Sequence, residues 1–239
     1  MQVYAPLDEL KPVGDGIWVV DGPTIRFYGV PFPTRMTVVR LADGAVWVHS
    51  PIRLSEALAE AVAALGPVAH LVAPNQIHYA YLPDWSRRFP GASVWAAPGV
   101  AERAADHDVA FPEARALDGA EPWPGEIDCL VVGGSAVHHE AVFFHRASRT
   151  LILTDLIENF EPARVPWWFA PVAWLAGIKD PDGAMPRDMR WTFRKGRAEL
   201  RAAVETMIGW GPEKVIVAHG RWYERDGVAE LRRAFRFVL

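Results

Sequence analysis

The stretch His138-His139-Glu140-Ala141-Val142-Phe143-Phe144-His145-Arg146-Ala147-Ser148-Arg149-Thr150-Leu151-Ile152-Leu153-Thr154-Asp155 decides how the chain is read. Ala141 to Phe144 is an apolar run with β-propensity, Arg146 to Arg149 is a polar turn, and Thr150 to Leu153 is a second buried run. The whole is a β-hairpin. It carries two imidazoles and a carboxylate before its first strand and a carboxylate, Asp155, after its second.

Other strands repeat the pattern of an apolar run closing on a polar group. Val46-Trp47-Val48 runs into His49. Leu71-Val72-Ala73-Pro74 runs into Asn75, with His78 close behind. Val215-Ile216-Val217-Ala218 runs into His219. Strand ends in layered α/β folds meet at one sheet edge, where ligands bind. Taken singly, each of these residues has an ordinary explanation as a turn, a cap or a surface group. The repetition of the pattern is what points to a site.

Between these strands the order is mixed. Ile17 to Val20 is a strand before a turn at Asp21-Gly22, and Arg35 to Leu41 is a second. Asp43-Gly44 is a hairpin turn leading to a third, so the opening is a β-meander. Ser55 caps a helix with Leu58, Val62 and Leu65 on one face, and Gly66-Pro67 stops it. Later strands and helices alternate, as in an α/β layered fold.

At 239 residues, 51% of them hydrophobic, the chain can bury a sizeable core. The expectation is a single domain over 1–239. A Trp- and Pro-rich irregular insertion is expected at about 158–186. A net charge of −4 implies no basic surface for nucleic acid or an anionic membrane. The single Cys129 excludes an internal disulfide and a cysteine-rich zinc site. No secretory leader pattern opens the sequence, so a cytoplasmic protein is the expectation. Val165 to Ile178 is apolar but short and broken by Pro166 and Pro171, which argues against an integral membrane span. It is expected to form a lid or wall over the site, with a homodimer contact or an interfacial membrane patch as the other readings.

Imidazoles and carboxylates without cysteines suit a zinc, iron or manganese centre open to water. The candidate metal ligands are His78, His139, Glu140, Asp155 and His219, with His138 in reserve. Asp155, His78 and Glu140 are the candidates for the chemistry. His139 and Glu140 are adjacent, so in an extended chain they face opposite ways. His49, Asn75, Trp167, Trp168 and Arg190 are candidates for contacting a small-molecule substrate.

The order of parts resembles the metallo-β-lactamase superfamily, a four-layer αββα sandwich of metal-dependent hydrolases. The hairpin to Asp155 resembles the one leading to that family's metal-bridging Asp, and Val215 to Gly220 resembles the strand delivering its last His. Pro33-Thr34-Arg35-Met36, Trp47 to Pro51, Ala73 to His78 and Thr150 to Asp155 resemble more closely an uncharacterised, domain-of-unknown-function branch. The chain departs from the hallmark His-x-His-x-Asp-His, since the same place reads Asn75-Gln76-Ile77-His78-Tyr79-Ala80. One imidazole remains, Tyr79 stands at the Asp position, and the family's middle His falls on Ala136.

The resemblance therefore implies a metal-dependent hydrolase acting on an ester, lactone, thioester or phosphoester, with one ion rather than two. Two alternatives stay open. One is a degenerate relative that binds a small molecule without turnover and without metal. The other is a mononuclear metal redox protein.

Overall fold

A computed structural model describes residues 1–27, 29–117 and 121–239. In chain order the strands are β1 (Lys11–Gly14), β2 (Ile17–Phe27), β3 (Val30–Arg40), β4 (Val46–His49), β5 (Val68–Ala73), β6 (Ser93–Ala96), β7 (Arg115–Ala116), β8 (Ile127–Val132), β9 (Glu140–His145), β10 (Thr150–Ile152) and β11 (Lys214–Ile216). The α-helices are α1 (Glu56–Ala63), α2 (Leu82–Arg88), α3 (Val100–Ala105), α4 (Phe169–Ala176), α5 (Arg187–Thr192), α6 (Arg197–Gly209) and α7 (Gly227–Ala234).

Among the described residues there is a seven-stranded sheet in the order β1 to β7 and a four-stranded sheet in the order β11-β10-β9-β8. The period-2 alternation of β9 to β11 explains how the two sheets stack. Ala141, Phe143, Ile152 and Ile216 join the core shared with the first sheet. Val142, Phe144, Leu151 and Val215 point the other way, into a second core built with α6 and α7. Helices α1 to α3 contribute Leu58, Leu82 and Val100 to the first core. The layers are helix, sheet, sheet, helix, and the molecule is a four-layer αββα sandwich.

The hairpin forms as the sequence indicates, with Thr150 opposite His145 and Ile152 opposite Phe143. Ser55 caps α1 by accepting a hydrogen bond from the Leu58 N–H. Asp21-Gly22 does not turn. The β2–β3 ladder runs on past it to Phe27 and Val30, with a register shift between Gly22 and Thr24. A turn would have exposed Asp21, whereas the ladder buries it beside Arg35 at 2.8 Å and Lys11 at 2.8 Å. The insertion is not wholly irregular either. Its apolar run forms α4, and Phe160, Phe169, Ala173 and Ile178 make a small core of their own against Phe32.

Strands β4, β5 and β6 are mutually parallel, as are β10 and β11. Their C-terminal ends therefore share a rim, and the segments leaving them carry Ser50, Asn75, Asp155 and His219.

Candidate metal centre

Asp155 sits at the middle of the rim. Its Oδ1 lies 3.3 Å from His78 Nε2 and 3.4 Å from His219 Nε2. Each imidazole is held from behind. His219 Nδ1 meets the Pro33 carbonyl at 2.9 Å, which requires Nδ1 to donate and turns Nε2 toward Asp155. His78 Nδ1 meets Ser50 Oγ at 2.7 Å. Ser50 is held in the left-handed region at φ 53°, a strained position for a non-glycine residue. Phe32 closes over the His219 ring with centroids 5.3 Å apart.

Arg35 ties the loop bearing His219 to the first sheet. Its guanidinium donates to the carbonyls of Val217 (2.7 Å) and Gly220 (2.9 Å) while paired with Asp21.

Burial alone would lower His78 and raise Asp155, and their mutual attraction outweighs both effects. The His78 imidazole is raised above its ordinary value by the Asp155 charge and hydrogen bond. The Asp155 carboxyl is held well below the usual range by His78 and His219.

Two nitrogens and a carboxylate oxygen fit a divalent cation. Ligand bonds of about 2.0–2.1 Å at tetrahedral angles place donor atoms about 3.3 Å apart, which is the separation of Asp155 Oδ1 from both Nε2 atoms. The backing partners of His78 and His219 are the outer contacts that orient ligating imidazoles.

A second group, His138, Glu140 and Asp155, also has its ligand atoms within 4.8 Å of one another. Its oxygens are already engaged. Glu140 accepts from the backbone N–H groups of Thr154 (2.7 Å), Asp155 (2.8 Å) and Leu156 (3.2 Å). Asn75 Nδ2 donates to Asp155 Oδ2 at 2.6 Å and to Thr154 Oγ1 at 2.9 Å. The Asn75 amide cannot be turned round, because its Oδ1 accepts from the N–H groups of Ile77 (2.8 Å) and His78 (3.0 Å). Its N–H groups thus occupy the side of Asp155 that a second ion would need.

The structure thus brings His78, Asp155 and His219 together, with Glu140 beside them as an acceptor for backbone groups. His139 is in neither group, and it is His138 that faces Glu140, at 3.4 Å. Tyr79 is turned away, its hydroxyl donating to the Arg103 carbonyl. Burial raises the half-buried Cys129 thiol on β8, away from the rim.

A cavity of about 540 Å³ opens over the three donors. Phe32, Ile52, Phe169, Val172 and Ile178 give it an apolar wall, and Glu158, Asp188 and Thr192 add polar groups. So α4 is a wall of the site. The expected substrate contacts need correction. Trp167 and Trp168 do not line the cavity and face outward, because the helix phase turns Phe169 and Val172 inward. Arg190 lies over the Phe237 ring and donates to the Met185 carbonyl. His49 is buried, stacked on Trp47 and pushed down to about 3 by burial, so it stays neutral. Asn75 holds Asp155 instead of facing the cavity.

Sequence reasoning passed over Glu158. Burial pushes its carboxyl up from 4.5 to about 8. Between those values the folded protein keeps a proton that the unfolded chain has released, so stability falls as pH rises from 4.5 to about 8. In chelator-treated protein, Glu158→Gln is expected to match the parent near pH 4.5 and to exceed it in stability increasingly up to about pH 8. Urea unfolding across that range is the measurement, and a difference that shrinks with rising pH would contradict the assignment.

Solved structures share this fold. A metallo-β-lactamase from Pontibacter korlensis superposes with a TM-score of 0.61 at 12% identity, covering 96% of each chain. The metallo-β-lactamase FIM-1 from Pseudomonas aeruginosa, in its mono-zinc form, gives 0.65 at 10% identity, covering 100% of this chain and 97% of that one. Rubredoxin oxygen:oxidoreductase from Desulfovibrio gigas gives 0.65 at 11% identity, covering 96% of this chain and 61% of that one. No curated protein matches in sequence. With two sheets stacked between helices, and histidines and carboxylates gathered at the rim, the chain is a metallo-β-lactamase-fold protein with a candidate metal-binding group. More narrowly, residues 14–196 match the family described as "Domain of unknown function (DUF4336)", and the chain belongs to that family.

Proposed function

We propose that this protein is a hydrolase that uses one divalent ion, zinc, iron or manganese, held by His78, Asp155 and His219. The observation that carries the reading is the spacing of those three donors beneath an apolar cavity. A divalent cation there supplies Lewis acidity and makes water acidic enough to act as a nucleophile near neutral pH.

The chain's own residues do the rest. Ser50 and the Pro33 carbonyl fix the two imidazoles. Phe32, Ile52, Phe169 and Ile178 hold the apolar body of a substrate and exclude bulk water. Glu158 lines the cavity with the three donors, and burial raises its carboxyl in the metal-free chain, which makes it the group placed to pass a proton to a leaving oxygen or sulfur. The apolar wall favours carboxylic esters, lactones and thioesters over phosphoesters.

The test is elemental analysis of protein purified without chelating resin, followed by an ester, lactone and thioester panel with and without chelator. About one ion per chain and chelator-sensitive hydrolysis are expected. Tyr79 at the place of the family's proton-handling Asp favours a second reading, a relative that binds a small molecule without turnover. Metal-free protein that small apolar ligands stabilise regardless of chelator would decide for that reading.

A further inference from the structure

Helix α4 has two apolar faces. The inner one buries Phe169 and Ala173 and presents Val172 and Ala176 to the cavity. The outer one leaves Trp174 66%, Leu175 57% and the N-cap Trp168 45% exposed. Positions 168, 171, 174 and 175 follow helical spacing, so these side chains form one stripe, and Trp167, in the turn just before the helix, is 87% exposed. Trp191 of α5 adds a further indole, 66% exposed. Val165 to Ile178 contains no charged residue.

The charges around the stripe decide what covers it. Lys179 follows α4, Arg187 reaches Gly177 at its end, and Arg194 stacks on the Trp191 ring at 4.7 Å. Among the described residues these three cations make no ion pair. The neighbouring acids Glu161, Asp180 and Asp182 are each paired with an arginine. Asp188 and Glu158 are the acids left without an ion-pair partner among the described residues, and both line the cavity. The stripe is therefore apolar with a net positive border. A second copy of the chain related by a two-fold axis would set that border against itself. A layer of anionic headgroups neutralises it, and indole side chains suit the depth where apolar chains meet headgroups.

We infer that the outer face of α4 seats the protein on an anionic lipid surface. The cavity on the inner face of the same helix then takes a long-chain acyl ester or thioester from that surface. The substrate half of this inference rests on the proposed hydrolase; the docking half does not.

The test is co-sedimentation of the full chain with phosphatidylcholine vesicles and with mixed phosphatidylcholine–phosphatidylglycerol vesicles. Binding to the mixed vesicles is expected, weaker with phosphatidylcholine alone and falling with salt. Trp174→Ser and Leu175→Ser together should weaken it at least about tenfold, while the thermal unfolding midpoint stays near the parent's. With a long-chain ester dissolved in the vesicles, the double variant should hydrolyse more slowly, and with a soluble acetate ester at the parent rate.

Protein that stays in solution with both vesicles overturns the inference, as does a concentration-dependent dimer that the double variant abolishes. Equal loss on the soluble and vesicle-borne esters overturns the substrate half. Vesicle binding without any hydrolysis leaves docking standing and sinks the hydrolase.

Discussion

Under the proposed function, Asp155→Ala is expected to abolish divalent-ion binding and hydrolysis together. Asp155 Oδ1 is the oxygen shared by His78 and His219, at 3.3 and 3.4 Å. Removing it reduces three donors to two imidazoles that still point at an empty corner. Loss of an outer contact to a metal ligand costs about 10–100-fold in affinity, so loss of a ligand should exceed that range. Activity should fall to the uncatalysed background.

The same change has a second signature. Without the carboxylate, burial acts on His78 against the Glu140 charge without help from Asp155, and its imidazole should fall from its raised position. Titration by NMR in chelated protein reads that directly. A variant that keeps its full metal content would move the centre to His138 and Glu140, away from His78 and His219.

The hairpin and the strand ends were legible because their signals are local. An apolar run of four residues, a polar turn and a terminal carboxylate lie within 140–155, and the parallel strands carry the ends to one rim. What was not legible depends on partners far away in the chain. His219 is oriented by Pro33, 186 residues earlier, and nothing near either residue announces the contact. The strand ladder hides Asp21 because Arg35 and Lys11 are there to receive it, and the local Asp-Gly pair gives the opposite signal.

The choice between His138 and His139 turns on one residue of register. Ser135, whose hydroxyl accepts from the His138 N–H at 3.0 Å, helps to set it. The tryptophans just ahead of α4 give a misleading signal for a related reason. Which of Trp167, Trp168 and Phe169 faces the cavity depends on where the helix begins, and Pro166 and Pro171 obscure that start.

Asn75 shows how the departure from the family's hallmark can be read physically. An imidazole at this position would offer a lone pair toward Asp155. The amide instead offers N–H groups to the carboxylate, at 2.6 Å. A hydrogen bond to the carboxylate thus stands where an imidazole would have offered a lone pair.

Glu140 supplies the other large expected effect, on stability rather than on chemistry. Its side chain is fully buried, and its two oxygens accept the backbone N–H groups of Thr154, Asp155 and Leu156. These N–H groups lie just past β10, where the chain leaves the ladder and has no strand partner to offer them. Each buried donor left without an acceptor costs about 1–3 kcal/mol. Glu140→Ala should therefore destabilise the protein by about 3–5 kcal/mol, with some N–H groups recovered by water entering the gap.

Glu140→Gln separates this role from that of a metal ligand. The glutamine keeps one acceptor oxygen but turns an NH2 group toward at least one N–H, so about 2 kcal/mol or more should be lost even in chelated protein. Were Glu140 a ligand and nothing more, the chelated glutamine variant would unfold in urea at the parent's midpoint. The difference would then appear on adding metal. A midpoint shifted in both conditions identifies the carboxylate as the clamp that sets the Asp155 backbone, on which the aim of Oδ1 at His78 and His219 depends.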